Sequence, residues 1–163
     1  MGIEHEQNLV TLACLEGGWR GQGQTYPNPW GAAGATVGAW QFRFDRRRLN
    51  LIHDYTEERG GGDLFDAHGV LTVDPATRDV LWFWFDAYGH PPLSPSRGGW
   101  DGRVLKLEKV TPRGVGRVTF ERRDDDLICS METRPADAAA FIPVMAGRYA
   151  RVAEPAELPV TAP

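Results

Sequence analysis

Two cysteines, Cys14 and Cys129, are all that this chain of 163 residues contains. They stand far apart with no CxxC spacing and no neighbouring histidine. That excludes a disulfide framework or a thiolate metal knot and makes them small buried hydrophobes of a reducing compartment. A basic stripe is also missing. The formal charge is −4 and the pI near 5.5, so no array of cations is available to release counterions from phosphates, and nucleic acid is excluded as a partner. The one dense basic run, Arg46-Arg47-Arg48, follows Asp45 and precedes Asp54, Glu57 and Glu58, and reads as a solvated connection between strands. The opening MGIEHEQNLVTLACLEG places Glu4 and Glu6 ahead of its first apolar run and has no positive flank, so neither a secretory leader nor a membrane anchor is expected and the location expected is cytoplasmic. There is no phosphate-cradling P-loop, GxGxxG, HxH, HExxH or Gly-x-Ser-x-Gly. No catalytic residue, metal site or cofactor is assigned on this reading.

What the chain does have is glycine and tryptophan: 19 Gly and six Trp, in a composition 42% apolar and 25% charged. Glycine-punctuated aromatic sequence favours β structure, and the length suits a single domain, 1–163, with its own core. Residues 1–15 carry a weak amphipathic pattern, Leu9, Val10, Leu12 and Leu15, that predicts one short helix. After it the period is two. In ATVGAWQFRFD, Trp40, Phe42 and Phe44 alternate with Gln41, Arg43 and Asp45; in RLNLIHDYTEE, Leu49, Leu51, His53 and Tyr55 share one face. FDAHGVLTV and VLWFWFDAY flank the turn DPATRD, and GVGRVTFERR and LICSMETR flank Asp124-Asp125-Asp126. ADAAAF suggests one helical turn before a last strand around MAGRYARV. The Pro-rich 153–163 reads as a loose tail.

The motif GGWRG at 17–21 returns as GGWDG at 98–102. The second copy reads as a short strand entering a hairpin, with Asp101-Gly102 as the two central residues of a type I′ turn. About ten strands joined by short turns form an up-and-down meander, and closing it removes exposed edges. The expected fold is therefore all-β, an antiparallel barrel over about 16–152. Width grows with strand number, so a ten-stranded ring has room for a small ligand. Trp40, Phe42, Leu51, His53, Tyr55, Trp84, Leu105, Met131 and Tyr149 are the expected lining, largely apolar with a few polar tips. The first copy places Trp19 on the first long strand, beside the last strand if the ring closes, where the guanidinium of Arg148 or Arg151 can cover its indole as a lid.

Gly17-x-Trp19 near the start with Arg148 or Arg151 near the end resembles the signature of the calycin superfamily, which includes lipocalins and fatty-acid-binding proteins. The ordered set LEGGWRGQG, GVLTVDPATRDVLWFWFDAYG, RGGWDGRVLKLEK and FIPVMAGRYAR is similar to an uncharacterised bacterial family of calycin-like proteins. The resemblance implies a barrel with an apolar ligand, such as a fatty acyl chain or an aromatic metabolite, and brings no established reaction. Trp19-x-Gly21-x-Gly23 also resembles the opening of nitrobindin-type haem barrels, but those carry their proximal histidine late in the chain and the last histidine here is His90. Haem would then fall to His53. A further alternative is an enzyme acting on a bound ligand through His53 or Tyr55. Two polar groups within hydrogen-bond reach at the cavity floor would favour it. In VLWFWFD, Trp82 and Trp84 face opposite to Leu81, Phe83 and Phe85, so one aromatic row lies outside, and either a second copy in a symmetric homodimer or the chain's own N-terminal segment is expected to cover it.

Overall fold

The computed structural model describes residues 11–28 and 31–153. Ten strands succeed one another: β1 (Gly17–Thr25), β2 (Gly34–Phe44), β3 (Leu51–Arg59), β4 (Asp63–Val73), β5 (Val80–Asp86), β6 (Ser96–Asp101), β7 (Val104–Thr111), β8 (Gly114–Arg123), β9 (Asp126–Pro135) and β10 (Ile142–Val152). Each pairs antiparallel with its neighbour in sequence, and β1 also pairs with β10 from Gly18↔Val152 to Thr25↔Met145, which closes the ring. The fold is a closed up-and-down barrel. Strict alternation builds it: along β3, Leu51, His53, Tyr55 and Glu57 are buried, and between them Ile52, Asp54 and Thr56 are only half-buried. Each fully buried leucine or phenylalanine side chain contributes about 1.5–3 kcal/mol through lost apolar surface.

Three expectations change in detail. The part of the expected N-terminal helix that falls on residues 1–10 lies outside the described residues. Nearer β1 the chain makes a 3-10 turn, Ala13–Leu15, ended when the Glu16 N–H donates to Ala13 O (3.2 Å) and the backbone enters β1 through Gly17 at φ +122°. Residues 136–141 form no helix; the Ala138 N–H donates to Pro135 O (3.0 Å) and closes a single turn, followed by a bend. The tail beyond 153 lies outside the described residues. The hairpin after the second GGW turns one residue later than expected. Asp101 pairs with Val104, so Gly102 and Arg103 are central, and of these only Gly102 has positive φ (+60°). That is the pattern of a type II′ turn, which needs glycine at its first central position alone.

One joint in the wall is short. β5 meets β6 only at Val80↔Gly98, Leu81↔Arg97 and Trp82↔Ser96, because the chain leaves β5 through His90-Pro91-Pro92-Leu93-Ser94-Pro95 and the prolines have no N–H to give to a ladder. Phe83 to Asp86 keep their β4 partners and have no β6 partner. Trp82 is buried and Trp84 half-buried on the inner face; Phe85 is the outer member, 39% exposed and stacked on His68 with ring centroids 5.1 Å apart.

Candidate functional site

One end of the barrel is sealed. Trp19 is buried and donates its indole N–H to Leu15 O (2.8 Å), tying the 3-10 turn, with buried Leu12 and Leu15, across the opening. Arg151 lies 4.4 Å above the Trp19 ring and donates to Glu16 O (3.0 Å). Arg122, which the sequence did not bring forward, lies 4.7 Å from the same ring. Arg148, named as the alternative lid, takes no part. Its register partner is Gln22, and it turns outward to an ion pair with Asp126. Arg48, from the basic run, pairs with Glu16 at 3.1 Å. The glycines around Trp19 now have distinct roles. A Cβ on Gly17 would sit 2.5 Å from Arg151 Nη1, and one on Gly21 would sit 2.0 Å from Arg148 O, so the closing strands approach as they do because these residues lack side chains.

Above this seal the interior is packed with rings. Trp40 stacks on Tyr55 (4.2 Å between centroids) and Phe42 (5.5 Å), and Phe120 reaches from β8 to meet Trp40 at 5.3 Å and Trp82 at 5.8 Å. Phe42, Leu51 and Leu105 are fully buried in this layer. Rings from β2, β3, β5 and β8 thus meet across the barrel and fill it at this height, because each aromatic side chain brings about 150–250 Å² of surface. Trp84 and Met131 are only partly buried. Trp84 is 6.1 Å from Trp40, 5.8 Å from His53 and 6.4 Å from Phe65, so it connects the packed layer to the opposite end.

His53 is fully buried and sits beside Gly69, where a Cβ would be 2.7 Å from Nε2. Its Nε2 accepts the indole N–H of Trp82 at 2.7 Å. Burial lowers its pKa to about 3, with a smaller contribution from His68. Indole only donates, so Nε2 carries the lone pair and the proton of the neutral ring is on Nδ1. These residues do not fit haem. The histidine nitrogen with a free pair is already engaged by Trp82, and the other bears the proton.

A polar chain runs from the interior towards the opposite end. The Tyr149 and Tyr55 hydroxyls are 3.4 Å apart, Tyr55 donates to Glu57 Oε2 (2.5 Å), Arg59 Nε donates to Glu57 Oε1 (2.6 Å), and Arg59 Nη1 donates to Tyr88 Oη (3.1 Å). Arg59 also lies 4.4 Å over Phe65. The Glu57 side chain is 0% exposed. Burial first, then the neighbouring Tyr149 and Glu57, raises the Tyr55 pKa; burial and then Cys129 do the same to Tyr149. Glu57 and Arg59 escaped the sequence reading, although the parity that turned His53 and Tyr55 inward applies to both.

In this half of the barrel Trp84 donates its indole N–H to Asp86 Oδ2 (2.9 Å). Around it, every exposed large apolar side chain among the described residues falls in the same half of the barrel: Val37, Leu64, Phe85, Tyr88, Leu93, Val110 and Ile142, with Leu93 at 95% and Leu64 and Val110 each at 76%. The turns at the sealed end carry Asp45 to Arg48, Asp74 to Asp79 and Asp124 with Asp125. On the outer wall, Asp54, Thr56, Asp66, His68 and Phe85 border a groove of about 420 Å³.

No family model matches the chain, and no curated protein matches it. Solved structures do. Rv2717c from M. tuberculosis superposes with a TM-score of 0.66 at 17% identity over 89% of this chain and 97% of that one. The S-type phycobiliprotein lyase CPES from Guillardia theta does so with a TM-score of 0.64 at 7% identity, over 92% and 96%. A third, EF1p2_mFAP2b bound to DFHBI, gives 0.48 at 12% identity over 89% and 99%. At these identities the first two establish the fold alone, a closed antiparallel barrel.

Proposed function

We propose that this protein binds a small hydrophobic molecule through the open end of the barrel, against the aromatic layer headed by Trp84. The difference between the two ends carries this reading. One is closed by Trp19, Leu12, Leu15 and Arg151, whereas the other keeps a half-buried tryptophan, and the exposed large apolar side chains among the described residues gather in its half of the barrel. Of the residues expected to line the pocket, Trp84, Met131, Tyr55, Tyr149 and His53 belong to or adjoin this entrance. Trp40 forms its floor, and Phe42 and Leu51 act as core beneath it. The Tyr55–Glu57 pair meets the proximity criterion for chemistry, but Glu57 already accepts from Tyr55 and Arg59 and Tyr55 holds its proton more tightly than a free phenol. Binding is therefore the better-supported role. Titration with planar apolar fluorophores should quench tryptophan emission at one molecule per chain, and Trp84→Ala should weaken binding about tenfold through lost ring contact. Absence of quenching, together with absence of any co-purifying adduct by native mass spectrometry from the protein's own host, overturns this reading. A second copy laid on the outer row of Leu81, Phe83 and Phe85 would cover that row; light scattering that returns a single-chain mass of 18.1 kDa removes the pairing.

A further inference from the structure

We propose that the ligand is an uncharged planar molecule bearing a carbonyl-type hydrogen-bond acceptor, and that His53 Nδ1–H is the donor that receives it. This rests on the open-end binding proposed above and adds the ligand's chemistry to it. The starting point is an unmade bond. With Nε2 taken by Trp82 (2.7 Å), the neutral ring presents Nδ1–H as a donor, yet this atom has no partner although the residue is fully buried. A buried donor left unmade is costly, and such groups in native proteins ordinarily find an acceptor. The polar chain farther along β3 differs. Tyr55, Glu57, Arg59 and Tyr88 satisfy one another and require nothing from outside.

The Trp40 indole N–H is directed at the Tyr149 hydroxyl, so of the two neighbouring rings, 5.4 Å apart, it is His53 that lacks an acceptor from the protein. A buried donor with no protein partner calls for an acceptor on the ligand. Charge narrows it further. Arg59 is committed to Glu57, and Arg122 and Arg151 lie over Trp19 at the sealed end. A carboxylate brought to His53 would thus meet no free guanidinium and would feel the buried Glu57, which disfavours a fatty acid. Shape comes from the rings of Trp40, Phe42 and Trp84, all within 5.8 Å of the His53 ring. Flat faces around a donor suit a flat acceptor. Trp84, half-buried and with its ring 5.8 Å from that of His53, is the face against which a ligand hydrogen-bonded to Nδ1 would stack.

The test compares 9-fluorenone with fluorene, planar isosteres that differ in a carbonyl. Wild-type protein should bind fluorenone about tenfold more tightly, the size of one buried hydrogen bond, and His53→Phe should abolish that preference while still binding fluorene. That variant leaves the Trp82 N–H unpaired, so a second readout is taken on the unaltered protein. The carbonyl stretch of bound ¹³C-fluorenone should lie at lower wavenumber than in alkane. Equal affinity for the two probes, or an unshifted stretch, overturns the inference and leaves open-end binding standing. Tighter binding of fluorenone-4-carboxylate than of fluorenone overturns the uncharged class. No quenching by either probe overturns the binding reading itself and this inference with it.

Discussion

His53 makes stability depend on pH in a window that ordinary carboxylates do not reach. Its folded pKa is depressed to about 3, while in the unfolded chain it lies near 6.5. Below pH 6.5 the unfolded chain takes up a proton that the folded one refuses, so stability is full above that pH and is lost as pH falls towards 3. The slope approaches about 1.4 kcal/mol per pH unit between pH 6 and 5. Urea midpoints measured across that interval should fall accordingly, and His53→Gln should flatten the profile. Next to it, Glu57 and Arg59 form a pair whose halves cannot be lost singly. Arg59→Met leaves a carboxylate in the interior with Tyr55 alone and should cost about 3 kcal/mol or somewhat less, since the guanidinium is partly solvated. The double variant Glu57→Gln/Arg59→Met should cost less than the sum of the single changes, because the uncompensated charge goes with its partner. Additive losses would mean that the two side chains act independently. His53 and Tyr55 could be read from the alternation of β3. Glu57 shares that alternation, but a carboxylate is turned inward only if a cation two residues on can be spared to meet it, and periodicity states a face without stating a partner.

At the level of strands, glycine decides where the walls touch. Gly69 lies opposite both His53 and Trp84, and a Cβ there would sit 2.2 Å from Phe83 O and 2.7 Å from His53 Nε2. A backbone carbonyl cannot step aside, so Gly69→Ala should lose at least about 2 kcal/mol by forcing β4 from β5. Gly116→Ala meets nothing within 4 Å and should be neutral or slightly stabilising through its effect on the unfolded chain. Thermal melts of the two variants side by side check the contrast. The strands themselves were legible, since alternation of large and polar side chains leaves little choice of face. The turns were less so. Asp101-Gly102 carries the composition of a type I′ turn, yet the pairing of Trp100 with Leu105 moves the bend to Gly102-Arg103, and cross-strand packing of this kind is invisible in a dipeptide. Arg148 and Arg151 posed the same problem. They are three residues apart on one strand and so face opposite ways, and only the register of β10 against β1 shows that Arg151 is the one beside Trp19.

Taken whole, the molecule has two unlike ends and a wall of uneven strength. Ring closure was readable from the count of short strands, whereas the filling of the lower interior was not, because it depends on how far Phe120 reaches across from β8. The seam that joins the first and last strands is among the long ones, running from Gly18↔Val152 to Thr25↔Met145, while β5 and β6, next to each other in the chain, share three residue pairs. The weakest stave joint therefore lies mid-chain, and amide exchange should be fastest at Phe83 to Asp86. This geometry favours one circular permutant: the end of β10 bridged by a peptide to Thr11, so that Leu12, Leu15 and the turn before β1 are kept, and new termini opened between Gly89 and Pro95. Such a chain would give up a proline-rich tether and few hydrogen bonds, so it should fold and melt within a few degrees of the parent. Cutting instead between β8 and β9, whose ladder runs from Gly114↔Pro135 to Arg123↔Asp126, should cost the barrel far more.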